Sequence, residues 1–183
     1  MLGKPIEVIS ADMQNKVDVG VGIARRWYEQ DQVDLIIGIP HSAIALGVVK
    51  LAEQTNQLVM PTGAATAELT GKSCSAHSVH CLYDTYGQGK TLVNAIMKQG
   101  GDSWFFITVD YAFGHALEQN ASEFVKAAGG KVLGSARHPL NNADFSSYLL
   151  QAQGSKAKVV VMANGGAEYS HEGLEPARRA SLL

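Results

Sequence analysis

No stretch of this chain is apolar for longer than a β-strand requires. The longest runs, such as Val159 to Ala163, fall far short of the roughly 20 residues that carry a helix across a bilayer, so no such span is expected. An excess of positive charge is missing as well. Lys+Arg total 15 against 17 Asp+Glu, a formal net charge of -2, which excludes a surface built to neutralise DNA or RNA phosphates. Cysteine is scarce: Cys74 and Cys81 allow one internal disulfide at most, exclude a disulfide-stapled scaffold and leave the redox compartment open. Met1 to Pro5 offers no basic segment followed by an apolar one, so no secretory signal is legible there.

What the chain does have is apolar content and glycine. With 46% hydrophobic residues over 183 positions it can bury the core of one domain or of two small ones. Nineteen glycines against five prolines suit many short turns between closely packed elements. Periodicity then divides the chain. Pro5 to Ala11 alternates as a half-buried strand, and Val17, Val21, Ala24 and Tyr28 mark one face of a helix. Val33 to Ile39 reads as a buried parallel strand, Ser42 as the N-cap of a helix whose core face is Ala45, Val48, Val49 and Ala52, and Gln57 to Met60 as the next strand.

The alternation continues with a strand at Ser78 to Tyr83, a helix at Thr91 to Lys98, and the strongest strand of the sequence at Ser103 to Val109. Leu117, Ala121, Phe124 and Ala128 form a further helical stripe closed by Gly129-Gly130. Lys131 to Ala136 predicts a strand, Asp144 to Gln153 a helix and Lys158 to Ala163 a last buried strand. Strand and helix alternating at about 30 residues per unit predict an α/β protein with doubly wound parallel sheets.

Open parallel sheets bind ligands beyond the carboxyl ends of their strands, which directs attention to four sets of residues. These are Pro40, His41 and Ser42; Pro61 to Thr66; Asp110, Tyr111 and Phe113; and Asn164, Gly165 and Gly166. Ser42 and Thr66 place hydroxyls beside helix N-termini, where free N–H groups and the positive dipole end favour a carboxylate, although the same residues equally serve as plain caps. Tyr111 and Phe113 offer flat rings for an apolar ligand body, or simply pack against loops.

Other motifs carry less. Cys74, His77, His80 and Cys81 fall within eight positions, but neighbours on a predicted strand point to opposite faces, so His80 and Cys81 make a poor zinc pair; a core cysteine and a loop histidine are the expectation. Gly71-Lys72-Ser73 ends like a phosphate loop, yet Thr66 stands where its first glycine is required. Ser42 lacks the nucleophile elbow, with Pro40 and Ile44 at the glycine positions, and no paired carboxylates are evident. No catalytic residue, metal site or cofactor is expected, and an enzyme working through Ser42 or the Cys/His cluster is the weakest reading.

Five segments in order resemble one family: "ADMQNKVDVGVGIARRWYEQDQVDLIIGIPHSAIALGV", "PTGAATAELTG", "VHCLYDTYGQGK", "GGDSWFFITVDYAFGHALE" and "HPLNNADFSSYLLQAQGSKAKVVVMANGGAE". They are similar to the solute-binding proteins of ABC importers, in the type I periplasmic group related to the leucine/isoleucine/valine-binding proteins. The resemblance runs from about Gly3 to Glu168. It implies a two-lobed clamp that closes on a small carboxylate, a branched-chain amino acid or an aromatic acid, and presents it to ABC permease subunits in the membrane. It also implies a periplasmic location. By matching position, Ser42 is implied as the hydroxyl contact to the ligand carboxylate, with Ala64, Ala65 and Thr66 in the segment that completes the anion site. Asn164 falls in the lobe-two loop that faces the ligand, and Phe113 stands where amino-acid binders carry a ligand-contacting tyrosine, which favours an apolar or aromatic acid.

The sequence departs from the family at both ends. The family's earlier strand and ligand-facing loop, and its continuation past Glu168, have no counterpart here, and Tyr169 to Leu183 does not resemble it. The expectation is a truncated or frame-shifted reading frame: a partial lobe one over 1–82, a partial lobe two over 83–168 and a divergent, disordered tail over 169–183. Uncovered core would then favour self-association. The alternative on the same fold is a ligand-sensing domain of a regulator or receptor, without transport.

Overall fold

The computed structural model describes residue 3 and residues 5–165, so the expected tail over 169–183 lies outside the described residues. The elements alternate as α1 (Val17–Glu29), β1 (Leu35–Gly38), α2 (Ser42–Thr55), β2 (Leu58–Pro61), α3 (Thr85–Lys98), β3 (Ser103–Val109), α4 (Ala112–Ala127), β4 (Lys131–His138), α5 (Ser146–Ser155) and β5 (Val159–Ala163). All pairing between these strands is parallel. The strands form two sheets, β1-β2 and β4-β3-β5.

Each sheet has its own core. In the first, Ile36 and Val59 meet Ile44, Ala45, Val48, Val49 and Ala52 of α2 and Ala24 and Tyr28 of α1. Of the helical stripe read from the sequence, α1 buries Ala24 and Tyr28 and half-buries Val21, while Val17 stays exposed; Arg25 and Glu29 pair at 3.1 Å on its outer side. Tyr28 also ties α1 to β2, its hydroxyl donating to Leu58 O at 2.8 Å, and burial pushes that phenol up to about 12.

In the second sheet β3 is central and buried on both faces, which is why its sequence is continuously apolar. Its period of two sorts the rings. Trp104 and Phe106 face Val93 of α3 and Ala121 and Val125 of α4, while Phe105 and Ile107 face Phe145 and Ala152 on the α5 side. Glycine permits a close crossing of α3 and α4: a Cβ on Gly89 would lie 3.1 Å from Ala121 N.

Four local expectations need correction. Pro5–Ala11 has the alternation of a strand but pairs with nothing, and Ile6 and Val8 are 71% and 83% exposed. Strand propensity describes a fit to a neighbouring edge, and no described edge lies beside this segment. Ser78–Tyr83 makes one bridge, Val59 to Ser78, before the chain turns away. Consequently Cys81 is no core residue; both cysteines are free and exposed. The helix expected from Thr91 begins at Thr85, because Asp84 caps it by accepting from Gly87 N at 2.8 Å, and Gly87 and Gly89 had disguised its first turns as loop.

The fourth correction concerns Ser42, which lies inside α2 as its first residue. The cap is His41, in extended backbone, with its Nδ1 accepting from Ile44 N at 3.4 Å. The turn before it accounts for the shift. Gly38 and Ile39 both take positive φ, 109° and 58°, so the chain reverses over β1 and Pro40 delivers His41 to the helix start. A β-branched residue in that region is strained by about 1–3 kcal/mol.

Candidate ligand-binding site

The carboxyl ends of the two sheets face one another across a cleft. A cavity of about 280 Å³ lies there. Pro40, His41, Gly63, Ala65 and Tyr83 line it from the first sheet's side, and Tyr111, Phe113, Leu140 and Gly165 from the second, with Asn15 at its edge. That volume sits at the low end of small-molecule pockets and suits a ligand of amino-acid size.

Each wall follows from local packing. Gly63 is held so close to the β1 turn that a Cβ there would lie 2.7 Å from Pro40 Cα, which brings the loops after β1 and β2 together. Tyr111 precedes α4 in extended backbone, and Gly114 lets the first turn of α4 settle on Val109 O. A Cβ on Gly165 would lie 3.2 Å from the Tyr111 hydroxyl and 3.5 Å from the Phe113 ring, so glycine keeps the cavity open beside both rings. Across the cleft the His41 and Tyr111 ring centroids are 4.6 Å apart.

The positions singled out by sequence divide into two groups. Ala65, Tyr111 and Phe113 line the cavity. Ser42, Ala64, Thr66 and Asn164 lie behind the wall, from 0% to 2% exposed. Thr66 Oγ1 accepts from Glu68 N at 3.4 Å and caps the short 3-10 turn Ala67–Leu69. Ala64 O is bonded by the His80 ring at 2.7 Å.

Asn164 belongs to an internal network. His138 Nδ1 lies 2.9 Å from Pro139 O, which can only accept, so in the neutral ring Nε2 is the acceptor and the Asn164 amide must present its NH₂ at 2.9 Å. In that orientation the amide also donates to Ile107 O and Ala163 O, at 3.2 and 3.3 Å, bracing the ends of β3 and β5.

Reasoning from strand ends reached Pro40, His41 and Gly63 but selected only Ser42 and Ala64 to Thr66 from their sets, and it missed Asn15, Tyr83 and Leu140. The signal available for His41 was its position before a helix, where a side-chain acceptor is needed. Tyr83 carried none, being placed on a strand that does not form. Burial lowers the His41 imidazole below its ordinary value, an effect larger than the opposing backbone hydrogen bond.

The Cys/His segment does not converge. His77 Nε2 lies 3.0 Å from Asn56 Oδ1, His80 turns to Ala64 O, and no group of three potential metal ligands occurs among the described residues. Lys72 of the phosphate-loop-like segment pairs with Glu68 at 3.1 Å. No helix among the described residues is long and apolar enough to cross a membrane.

Two parallel α/β units that turn their strand ends toward one small cleft define a small-molecule binder of the α/β class. The chain belongs to the periplasmic binding protein family, whose profile it matches over residues 1–171. It is similar to a periplasmic binding protein from Burkholderia mallei at 44% identity and a TM-score of 0.94, covering 99% of this chain and 49% of that one. It is also similar to a branched chain amino acid ABC transporter periplasmic ligand-binding protein from Burkholderia xenovorans LB400, at 36% identity and a TM-score of 0.75, over 99% of this chain and 48% of that one.

An ABC transporter solute binding protein from Rhodopseudomonas palustris BisB5, in complex with 3,4-dihydroxybenzoic acid, shares the fold. There the TM-score is 0.85 and the identity 24%, over 97% of this chain and 48% of that one. The chain thus spans about half the length of the solved structures it matches. A search of curated proteins gives no match.

Proposed function

We propose that the chain is part of the solute-binding component of an ABC importer, working in the periplasm, which captures a small carboxylate in its cleft for delivery to permease subunits. Residues 1–82 would contribute to one lobe of the clamp and residues 83–168 to the other. The observation that carries this reading is the cavity itself: the rings of Tyr111 and Phe113 stand on one wall, and Tyr83 and the start of α2 on the other. Rings supply large contact area at low entropic cost, and a helix N-terminus favours an anion, so an apolar or aromatic acid fits both.

In this reading Ala65 meets the carboxylate at the cavity wall, Tyr111 and Phe113 hold the body, and Ser42, Ala64, Thr66 and Asn164, buried behind the wall, position the loops that present these groups. The Burkholderia xenovorans relative is named as a branched chain amino acid transporter component and the Rhodopseudomonas palustris neighbour holds a dihydroxybenzoic acid. Both ligand types therefore belong in the test. Calorimetric titration of the chain with L-leucine, benzoate and 4-hydroxybenzoate should give saturable heat with at least one acid. No heat with any of the three would overturn the proposal.

A further inference from the structure

Resting on the carboxylate reading above, we propose that His41 is a specificity-determining residue of the cleft: its Nε2–H donates to the carboxylate of the bound acid while its ring closes against Tyr111. Three observations carry this. His41 is 7% exposed yet lines the cavity, so the little of it that remains accessible opens onto the site. Its Nδ1 is already engaged, accepting from Ile44 N at the start of α2. A neutral imidazole with Nδ1 as acceptor carries its proton on Nε2, and no described residue partners that nitrogen.

Left facing the cavity, that donor is the group that an acceptor on the occupant can take up. The chemistry of the occupant follows from the direction of the bond. Nε2–H can only donate, so it pairs with an acceptor such as a carboxylate oxygen and rejects an ammonium. Serine and threonine hydroxyls, which donate or accept, make no such distinction. The environment keeps the ring in this state, because burial and the positive end of α2 both disfavour the imidazolium form. The neighbouring ring adds the second function. Tyr111 comes from the other sheet, with ring centroids 4.6 Å apart and planes tilted by 32°, so the group that would touch the acid is also the group that bridges the cleft.

Two variants of the 183-residue chain separate these functions, with benzoate and L-leucine as probes. His41→Phe keeps a ring for Tyr111 and removes both nitrogens; affinity should fall about tenfold, the loss of one hydrogen bond to a charged group. His41→Asn keeps an acceptor for Ile44 N–H and should fold as well as the unaltered chain, yet bind more weakly for want of the ring. Nitrogen NMR of the His41 ring should show the proton on Nε2, with that resonance moving when benzoate is added. Unchanged affinity in His41→Phe, or a proton found on Nδ1, would overturn the proposal alone. Absence of heat from the unaltered chain with either acid would instead count against the carboxylate reading, and the proposal would fall with it.

Discussion

The His41 imidazole and the Tyr111 phenol meet in a tilted contact across the cleft, 4.6 Å between centroids and 32° between planes, and so join residues that lead into α2 and α4. Nothing in the chain between them prescribes this. It arises because the turn after β1 and the turn after β3 both deliver an aromatic ring at a helix start, in two units whose strand ends face each other. A double-mutant cycle with His41→Ala and Tyr111→Ala should give a coupling of about 0.5–1.5 kcal/mol by urea unfolding. Strictly additive losses would mean that the two rings are neighbours without mutual stabilisation.

Acid should weaken the fold through the same histidine. Burial holds His41 below its ordinary 6.5 in the folded chain, so between those two values the unfolded chain binds more protons. The contribution of the neutral ring is therefore complete above pH 6.5 and is lost as pH falls through the folded value. Urea midpoints measured across this range should fall more steeply for the unaltered chain than for His41→Asn, which has no titrating group at the cap.

Thr108 on β3 is fully buried and its hydroxyl has no hydrogen-bond partner among the described residues. Thr108→Val replaces that hydroxyl by a methyl of similar shape, so it should stabilise the chain by about 1 kcal/mol. A loss of stability would indicate an internal water serving the hydroxyl.

Two glycines in helices should respond with opposite signs. A Cβ on Gly114 would run into Val109 O and meet Val109 Cγ1 at 2.9 Å, so Gly114→Ala should cost about 1–3 kcal/mol. Around Gly22 of α1 there is open space, and Gly22→Ala should gain about 0.5–1 kcal/mol from helix propensity. Thermal unfolding of the two variants side by side is sufficient to read the contrast.

Sizing chromatography should show self-association of the 183-residue chain. The outer face of the first sheet exposes Leu35, Ile37 and Leu58, and β1 is paired on one edge only among the described residues. Apolar surface beside an open edge is a template for a second chain. A monomeric peak that persists on concentration would contradict this expectation.

The long, regular elements were legible in the sequence. Ser103–Val109 matches β3 residue for residue, because a strand buried on both faces needs an unbroken apolar run. Val21, Ala24 and Tyr28 marked the inner stripe of α1 for the same kind of reason, although Val17, at the helix start, stays exposed. What failed depended on partners. Pro5–Ala11 has the right alternation and no described edge to join, and the first turns of α3 were obscured by Gly87 and by Gly89, which the crossing with Ala121 requires.

The cleft was half legible. Strand ends directed attention to Ala65, Tyr111 and Phe113, which line it, but residue type favoured Ser42 over His41 as cap and wall. That choice turned on the left-handed pair Gly38 and Ile39, and a β-branched residue gives no warning in sequence that it will adopt a positive φ.

The separation of the two cores gives the chain a property of its own. It contains two tryptophans, and each packs in a different core: Trp27 against the α1–α2 cluster and Trp104 of β3, wholly buried, against α3 and α4. Every core thus carries its own native fluorophore. Excitation of Trp27→Phe and Trp104→Phe variants would let each half report its melting separately, without any introduced dye.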